Sequence, residues 1–429
     1  MADRANIAET RAATDKITAL GILNGRMAHL ATVVGNMMYM VGGYCSNNDS
    51  SGRGKDKDVA VAMKDVYLYS LREGKWRKAE ATGDIPASGS GMCMAAAGQY
   101  LYVFGGLVIN VERMREFSNK VYRLDTQTLI WKCLSPEYNI GNMSTIPSVR
   151  DKAAMIYYNN ALWMFAGWGV RIYNLRQNAQ FIPDPTHESV GWNNELWKFD
   201  LITNTWSTPT IVGSVPAPRA AHTLTMYSDH EAVLFGGRTR QGRVSELYFL
   251  DLKQGVWSGP VDAGPGPQPR SLHTTTKLHD GKVLLLGGMN HLGDSVKAQW
   301  LLHTNASAKW ERVTLQEEKS CGRTWHTTCA NNATPCCTEL LVFGGSPDNI
   351  WHPEHQHWAR MTRFYYGVRP LYDLCVEHMA DKDPGPSIPH DISDDIESRR
   401  VVINSLKKPS VTYSYETVIE QMTPTAGAS

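Results

Sequence analysis

The sequence predicts an all-β chain, a six-bladed β-propeller followed by a short helical C-terminal tail. Two repeated features carry this expectation. Six times a short, β-prone apolar run ends in a doublet of small residues, at Gly42-Gly43, Gly105-Gly106, Ala166-Gly167, Gly236-Gly237, Gly287-Gly288 and Gly344-Gly345. The doublets recur about every 50 to 70 residues, a spacing that suits one four-stranded blade per repeat. After five of the six, a further strand-like run leads to a tryptophan, at Trp76, Trp131, Trp206, Trp257 and Trp310.

The elements follow in order within each repeat. Met37-Met38-Tyr39-Met40-Val41, Tyr102-Val103-Phe104, Val233-Leu234-Phe235, Val283-Leu284-Leu285-Leu286 and Leu341-Val342-Phe343 precede their doublets. Each reads as a strand that stops where the backbone must turn tightly, which glycine permits at least steric cost. A variable stretch then leads to a third strand, such as Val66-Tyr67-Leu68-Tyr69, Val121-Tyr122-Arg123-Leu124-Asp125, Leu196-Trp197-Lys198-Phe199-Asp200 or Leu247-Tyr248-Phe249-Leu250-Asp251. A polar turn and the tryptophan strand complete the blade, with the indole suited to filling space between neighbouring sheets. The pattern resembles kelch repeats, so the fold expected is a six-bladed kelch β-propeller. The sixth repeat is irregular after Gly345, and its outer strands fall either to residues 360–366 or to the N-terminal segment.

A propeller absorbs about three hundred residues or more as one closed domain. The expected divisions are an N-terminal segment over residues 1–20, the propeller over 21–368, a helical tail over 369–400 and a disordered polar end over 401–429. The formal net charge is +1, with no long run of one sign, so the footprint of general nucleic-acid binding is missing. Residues 1–16 are polar and lack the apolar core of a signal peptide, and no run approaches the ~20 apolar residues that cross a bilayer. Eight cysteines show no paired CxxC spacing, which speaks against a structural zinc site. The expectation is reduced thiols, no cofactor, no membrane, and a cytoplasmic and/or nuclear location.

Four repeats carry Arg-x-x-His near the start of a blade: Arg26 to His29, Arg219 to His222, Arg270 to His273 and Arg323 to His326. Arg150-Asp151-Lys152 stands at the corresponding place in the third. Such residues either serve a ligand at the mouth of the central channel or hydrogen-bond neighbouring blades. A second concentration of charge follows the fourth doublet, where Arg238, Arg240 and Arg243 share one short loop. Three arginines so placed repel one another unless an anion sits among them or they point apart.

Several runs resemble the kelch domain-containing substrate receptors of cullin-RING ubiquitin ligases: Gly191-Trp192-Asn193, Pro218-Arg219-Ala220-Ala221-His222-Thr223, Phe235-Gly236-Gly237-Arg238, Pro269-Arg270-Ser271 and Trp325-His326-Thr327. That resemblance implies a non-catalytic subunit that captures proteins by an extreme C-terminal diglycine, a C-terminal glycine degron. It assigns the carboxylate clamp to Arg238, Arg243 and Ser271, and the peptide path to Lys152, Trp168 and Trp192. The chain departs from the family at Leu272, where a tryptophan follows the pocket serine, at Val190, where an arginine precedes Gly-Trp, and at Ala166 in the third doublet. Preference upstream of the last two peptide residues is thereby left open.

The tail adds two further runs. Pro370 to Met379 resembles an elongin-binding box, and helical spacing puts Leu371, Cys375 and Met379 on one face, as docking into a groove requires. Ser387-Ile388-Pro389-His390 resembles the cullin-binding box that follows it, centred on Pro389. The partners so implied are elongin B/C and a cullin scaffold. Two other classes compete: a kelch scaffold for another protein partner, and a copper oxidase, for which no histidine and tyrosine cluster of ligand spacing is evident.

Overall fold

The computed structural model describes residues 18–20, 23–46, 58–109, 114–135, 145–171, 179–304, 307–314, 322–334, 336–347, 357–359 and 361–367. Among these residues every regular element is a strand. The expected helical tail, with Leu371, Cys375, Met379 and Pro389, lies outside them.

Each apolar run that precedes a doublet forms the second strand of an antiparallel sheet. Met37–Val41, Tyr100–Phe104 and Glu231–Phe235 are buried over four successive residues, because neighbouring sheets cover both of their faces. Blade one is built from Leu30–Val34, Met37–Val41, Asp65–Ser70 and Trp76–Glu80, in that order across the sheet. Blades two to five repeat the arrangement, starting from Cys93–Ala97, Ala154–Tyr158, Thr223–Met226 and Thr274–Lys277. In blade six Thr327–Thr334, Cys337–Phe343 and Thr362–Gly367 pair in sequence, so the run near residue 362 supplies the third strand. Thr18–Leu20 of the N-terminal segment pairs instead with Trp76–Glu80 of blade one, ahead of the boundary expected at residue 21.

The six first strands pack against one another in sequence, and Thr327–Thr334 of the sixth packs on Leu30–Val34 of the first, closing a ring. The core is correspondingly split into six inter-blade clusters. The tryptophans fill these clusters as their volume suggests. Trp76 stacks edge-on with Phe343 at 5.1 Å, Trp206 with Phe104 at 5.4 Å, and Trp310 with Phe235 at 5.1 Å, while Trp257 tilts against Phe165 at 5.1 Å. Each partner belongs to the preceding blade. Trp131 does the same by donating its indole N–H to the Met63 carbonyl of blade one at 3.2 Å.

Polar groups latch the ring as well. The N–H of the second doublet residue donates to the carbonyl of the arginine that opens the next blade: Gly106 to Arg150, Gly167 to Arg219, Gly237 to Arg270 and Gly288 to Arg323, each at 2.9 Å. Gly345 to Arg26 at 2.8 Å joins blade six to blade one. Gly345 has φ +83°, and a Cβ there would overlap the Thr324 carbonyl and the His326 side chain, so both conformation and space demand glycine. The arginine side chains turn back to the first doublet residue of their own blade. Arg150 donates to the Ala166 carbonyl at 3.2 Å, Arg219 to Gly236 at 3.1 Å, Arg270 to Gly287 at 2.9 Å and Arg323 to Gly344 at 3.3 Å.

The histidines also join blades. His29, His273 and His326 each hydrogen-bond a threonine of the preceding blade: Thr327 at 2.8 Å, Thr223 at 3.1 Å and Thr274 at 3.1 Å. Burial holds His29, His222, His273 and His326 below their ordinary pKa of 6.5, His273 to about 3, so they are neutral in the fold. The repeated Arg-x-x-His thus joins blades, the second of the two roles its position suggested, with His222 meeting Phe165 of the preceding blade edge-on at 5.7 Å, and the four imidazoles also line the axial cavity.

Candidate functional site

Blade three departs from its siblings, and the departure builds an aromatic wall. Elsewhere the second strand stops at its doublet; here Ala161–Val170 and His187–Asp200 run on past it. Ala166 takes φ +59°, the register slips between Phe165 and Gly167, and pairing resumes with Trp168 opposite Trp192 and Gly169 opposite Gly191. Short strands flank this extension, pairing Asp151 with Trp168 on one side and Ile182 with Trp192 on the other. A Cβ on Gly169 or Gly191 would collide with the carbonyls of Val149 and Ile182, so the two glycines allow the close strand approach that seats both indoles. Phe117 of blade two braces Trp168 edge-on at 5.3 Å.

The arginine-rich loop is a two-stranded hairpin, Arg238–Thr239 with Gly242–Arg243. Arg238 and Arg243 are direct cross-strand partners, an arrangement in which like charges repel. The backbone of Arg238 is pinned to Ala220 by hydrogen bonds of 2.8 and 3.0 Å, and its guanidinium stands 6.0 Å from the centre of the Trp192 ring. Arg243 donates Nε–H to the Ser271 hydroxyl at 2.9 Å. That serine is 2 % exposed and is held by two backbone hydrogen bonds with Met289. Burial, and then the neighbouring Arg238 charge, lower the pKa of Arg243. Among the described residues no carboxylate forms an ion pair with Arg238, Arg240 or Arg243. Arg243 is half-buried and Arg238 exposed, with the Asp184 carboxylate in electrostatic reach of Arg238 but not ion-paired to it, so the two guanidiniums can cradle an anion.

Lys152 stands at the other end of the indole wall. Its ammonium lies 5.4 Å from the Trp168 ring and 5.9 Å from that of Trp325, and it is paired with the Asp151 carboxylate. Asp151 is 1 % exposed, and its carboxyl is pushed up by burial against the opposing pull of Lys152. The six residues expected at the site thus form one connected band: Lys152 to Trp168 to Trp192 to Arg238 to Arg243 to Ser271.

Three neighbours were not assigned from the sequence: Asp151, Phe117 and Trp325. A signal for Trp325 was present in the repeat itself. Ala28, Lys152, Ala221, Leu272 and Trp325 each stand two residues after a blade-opening arginine, and Gly91 takes that place in blade two. All six have φ between 51° and 67°. They meet around the central axis, where Lys152 N–H donates to Gly91 O, Ala221 to Lys152, Leu272 to Ala221, Trp325 to Leu272 and Ala28 to Trp325, over 2.6 to 3.3 Å. This annulus lines an axial cavity of about 150 Å³.

A closed ring of six blades latched through their doublets, with a band of cationic and aromatic side chains beside the blade-opening loops, defines a kelch-type β-propeller. The chain belongs to the family described by the KLHDC2/KLHL20/DRC7 Kelch-repeats domain, which matches residues 28–288 and 184–359. It is similar to human Kelch domain-containing protein 1, with 33% identity over 361 residues covering 82% of this chain and 83% of that protein. Human Kelch domain-containing protein 2 is 31% identical over 365 residues, covering 82% and 84% respectively. Host cell factor 2 of Homo sapiens matches more narrowly, at 25% identity over 242 residues. Among the described residues no helix is long and apolar enough to cross a membrane.

Proposed function

We propose that this chain is a non-catalytic substrate receptor of a cullin-RING ubiquitin ligase, and that its propeller captures proteins by a C-terminal degron of the diglycine type. The observation that carries the proposal is the cross-strand pair Arg238 and Arg243, in which Arg243 donates to the Ser271 hydroxyl and neither guanidinium is ion-paired to a carboxylate among the described residues. A peptide's terminal carboxylate supplies the missing charge and can accept from both guanidiniums and the hydroxyl. Trp168 and Trp192 then flank the last residues, and Lys152 faces the chain as it leaves the clamp. The tail carries the second half of the proposal, with Leu371, Cys375 and Met379 docking elongin B/C and Pro389 meeting a cullin.

The test has two arms. A library of peptides with varied C-termini is screened against the purified protein, and elongin B/C is co-expressed to ask whether it co-purifies. Enrichment of C-terminal glycine together with retained elongin supports the proposal. Random C-termini among the binders would remove the degron role. Peptide capture without elongin would leave a kelch scaffold serving some other assembly.

A further inference from the structure

The annulus at the mouth of the channel carries an inference that deepens the receptor reading and rests on it. Holding bulky residues at positive φ is costly, and such strain persists where the surroundings over-determine it and function uses it. Leu272 and Trp325 sit at φ 58° and 57°, locked by the ring of backbone hydrogen bonds. Those bonds engage the N–H of five annulus residues, so side chains set the character of the cavity. Its wall is mixed: Ala28, Met92, Ala221, Leu272 and Trp325 supply apolar surface, four buried, neutral imidazoles (His29, His222, His273 and His326) supply polar surface, and Lys152 is the annulus cation. A cavity of about 150 Å³ is large enough for a small side chain, and Leu272, Trp325, Ala221, Ala28 and Met92 give it apolar surface to pack on. Ser271, which touches the clamp arginine, is followed directly by Leu272, which touches the cavity. Consecutive Cα atoms are about 3.8 Å apart, so the clamp serine and the cavity wall at Leu272 adjoin, within the reach of one or two peptide residues.

We propose that the axial cavity bounded by Leu272, Trp325 and Ala221 is a side-chain subsite, and that the receptor accepts C-termini in which one of the last two residues carries a small aliphatic side chain, alanine or valine, beside glycine. Leu272 is the residue that sets its width. Trp325 occupies the equivalent place in blade six, so the annulus accommodates an indole at such a position without altering the ring.

The test measures binding of free-acid peptides ending Gly-Gly, Ala-Gly, Gly-Ala and Gly-Val to the full chain and to Leu272→Trp and Ala221→Leu, after thermal melts establish that both variants fold. The full chain is expected to bind at least one of the alanine or valine peptides within about threefold of Gly-Gly. Either cavity-filling variant is expected to keep Gly-Gly binding within a few-fold while losing tenfold or more for that peptide. A tenfold preference of the full chain for Gly-Gly over all three others would overturn the inference and leave the carboxylate clamp standing. So would an unchanged affinity ratio in both variants, or in the one that folds. If no free-acid peptide binds, the receptor reading fails and takes this inference with it.

Discussion

Arg243→Ala separates a ligand-binding arginine from a structural one. In the unliganded protein Arg243 contributes one hydrogen bond to Ser271, about 0.5–1.5 kcal/mol, and suffers repulsion from Arg238 across the hairpin. For two unit charges at an assumed separation of about 6 Å and an effective dielectric of 20 to 80, such a repulsion is about 0.7–2.8 kcal/mol. Removing Arg243 therefore changes stability by between about 1 kcal/mol lost and about 2 kcal/mol gained. Binding moves the other way, because a hydrogen bond from a guanidinium to a carboxylate is worth about 1.5–3 kcal/mol, a tenfold to hundredfold loss of affinity. Arg150→Ala is the contrasting variant. Its guanidinium and its partner Glu195 are 0 % and 4 % exposed in their side chains, and breaking such a pair costs about 3–5 kcal/mol. Urea unfolding and peptide titration by calorimetry of both variants give the comparison. If Arg243→Ala destabilised the fold as strongly as Arg150→Ala, or left peptide affinity within twofold, Arg243 would be a structural residue and the clamp assignment would be wrong.

Three further outcomes are expected. Trp206→Ala, which empties the space between blades two and three beside Phe104 and Phe199, should cost about 3–5 kcal/mol in urea unfolding; a loss under 1 kcal/mol would show that the indole is not an inter-blade filler. Acid should weaken the fold, because the four buried histidines have folded pKa values below 6.5 and the unfolded chain binds more protons. Their stabilising effect is complete above pH 6.5 and declines as pH falls from there towards the folded values, by roughly 1 kcal/mol per histidine for each pH unit. Asp151, raised above its ordinary 3.8 by burial, acts in the opposite sense but only near and above that value. Unfolding midpoints that stay flat from pH 7.5 to 5.5 would contradict this account. Finally, Leu371→Ala with Cys375→Ala should abolish co-purification of elongin B/C while leaving peptide affinity unchanged, and undiminished retention would remove the tail from the proposal.

What the sequence disclosed and what it withheld follow from the range of the forces involved. The doublets and tryptophans answer local demands, a left-handed turn and a large volume to fill, so residue type and spacing announce them. Burial is not local, so Arg-x-x-His could serve as ligand contacts or as latches on sequence alone; the bonds of Arg219 to Gly236 O and of His273 to Thr223 of the preceding blade make it a latch. The aromatic wall needed the blade-three hairpin to continue past Ala166-Gly167, a consequence of a bulge that residue types alone do not specify. Likewise the annulus exists only once six blades are stacked, although its members share one place in the repeat. Lys152 was legible as a cation near the site, but its pairing with Asp151 was not, since the carboxylate's burial comes from Gly91 and the neighbouring blade.

The central claim is that the Arg238, Arg243 and Ser271 cradle binds a terminal carboxylate. Calorimetric titration of one diglycine-ended peptide as the free acid and as its C-terminal amide tests this most directly, since the two differ only in the charged group. The free acid should bind and amidation should weaken it by tenfold or more, with Arg243→Ala abolishing most of the difference. Equal affinity for acid and amide would contradict it.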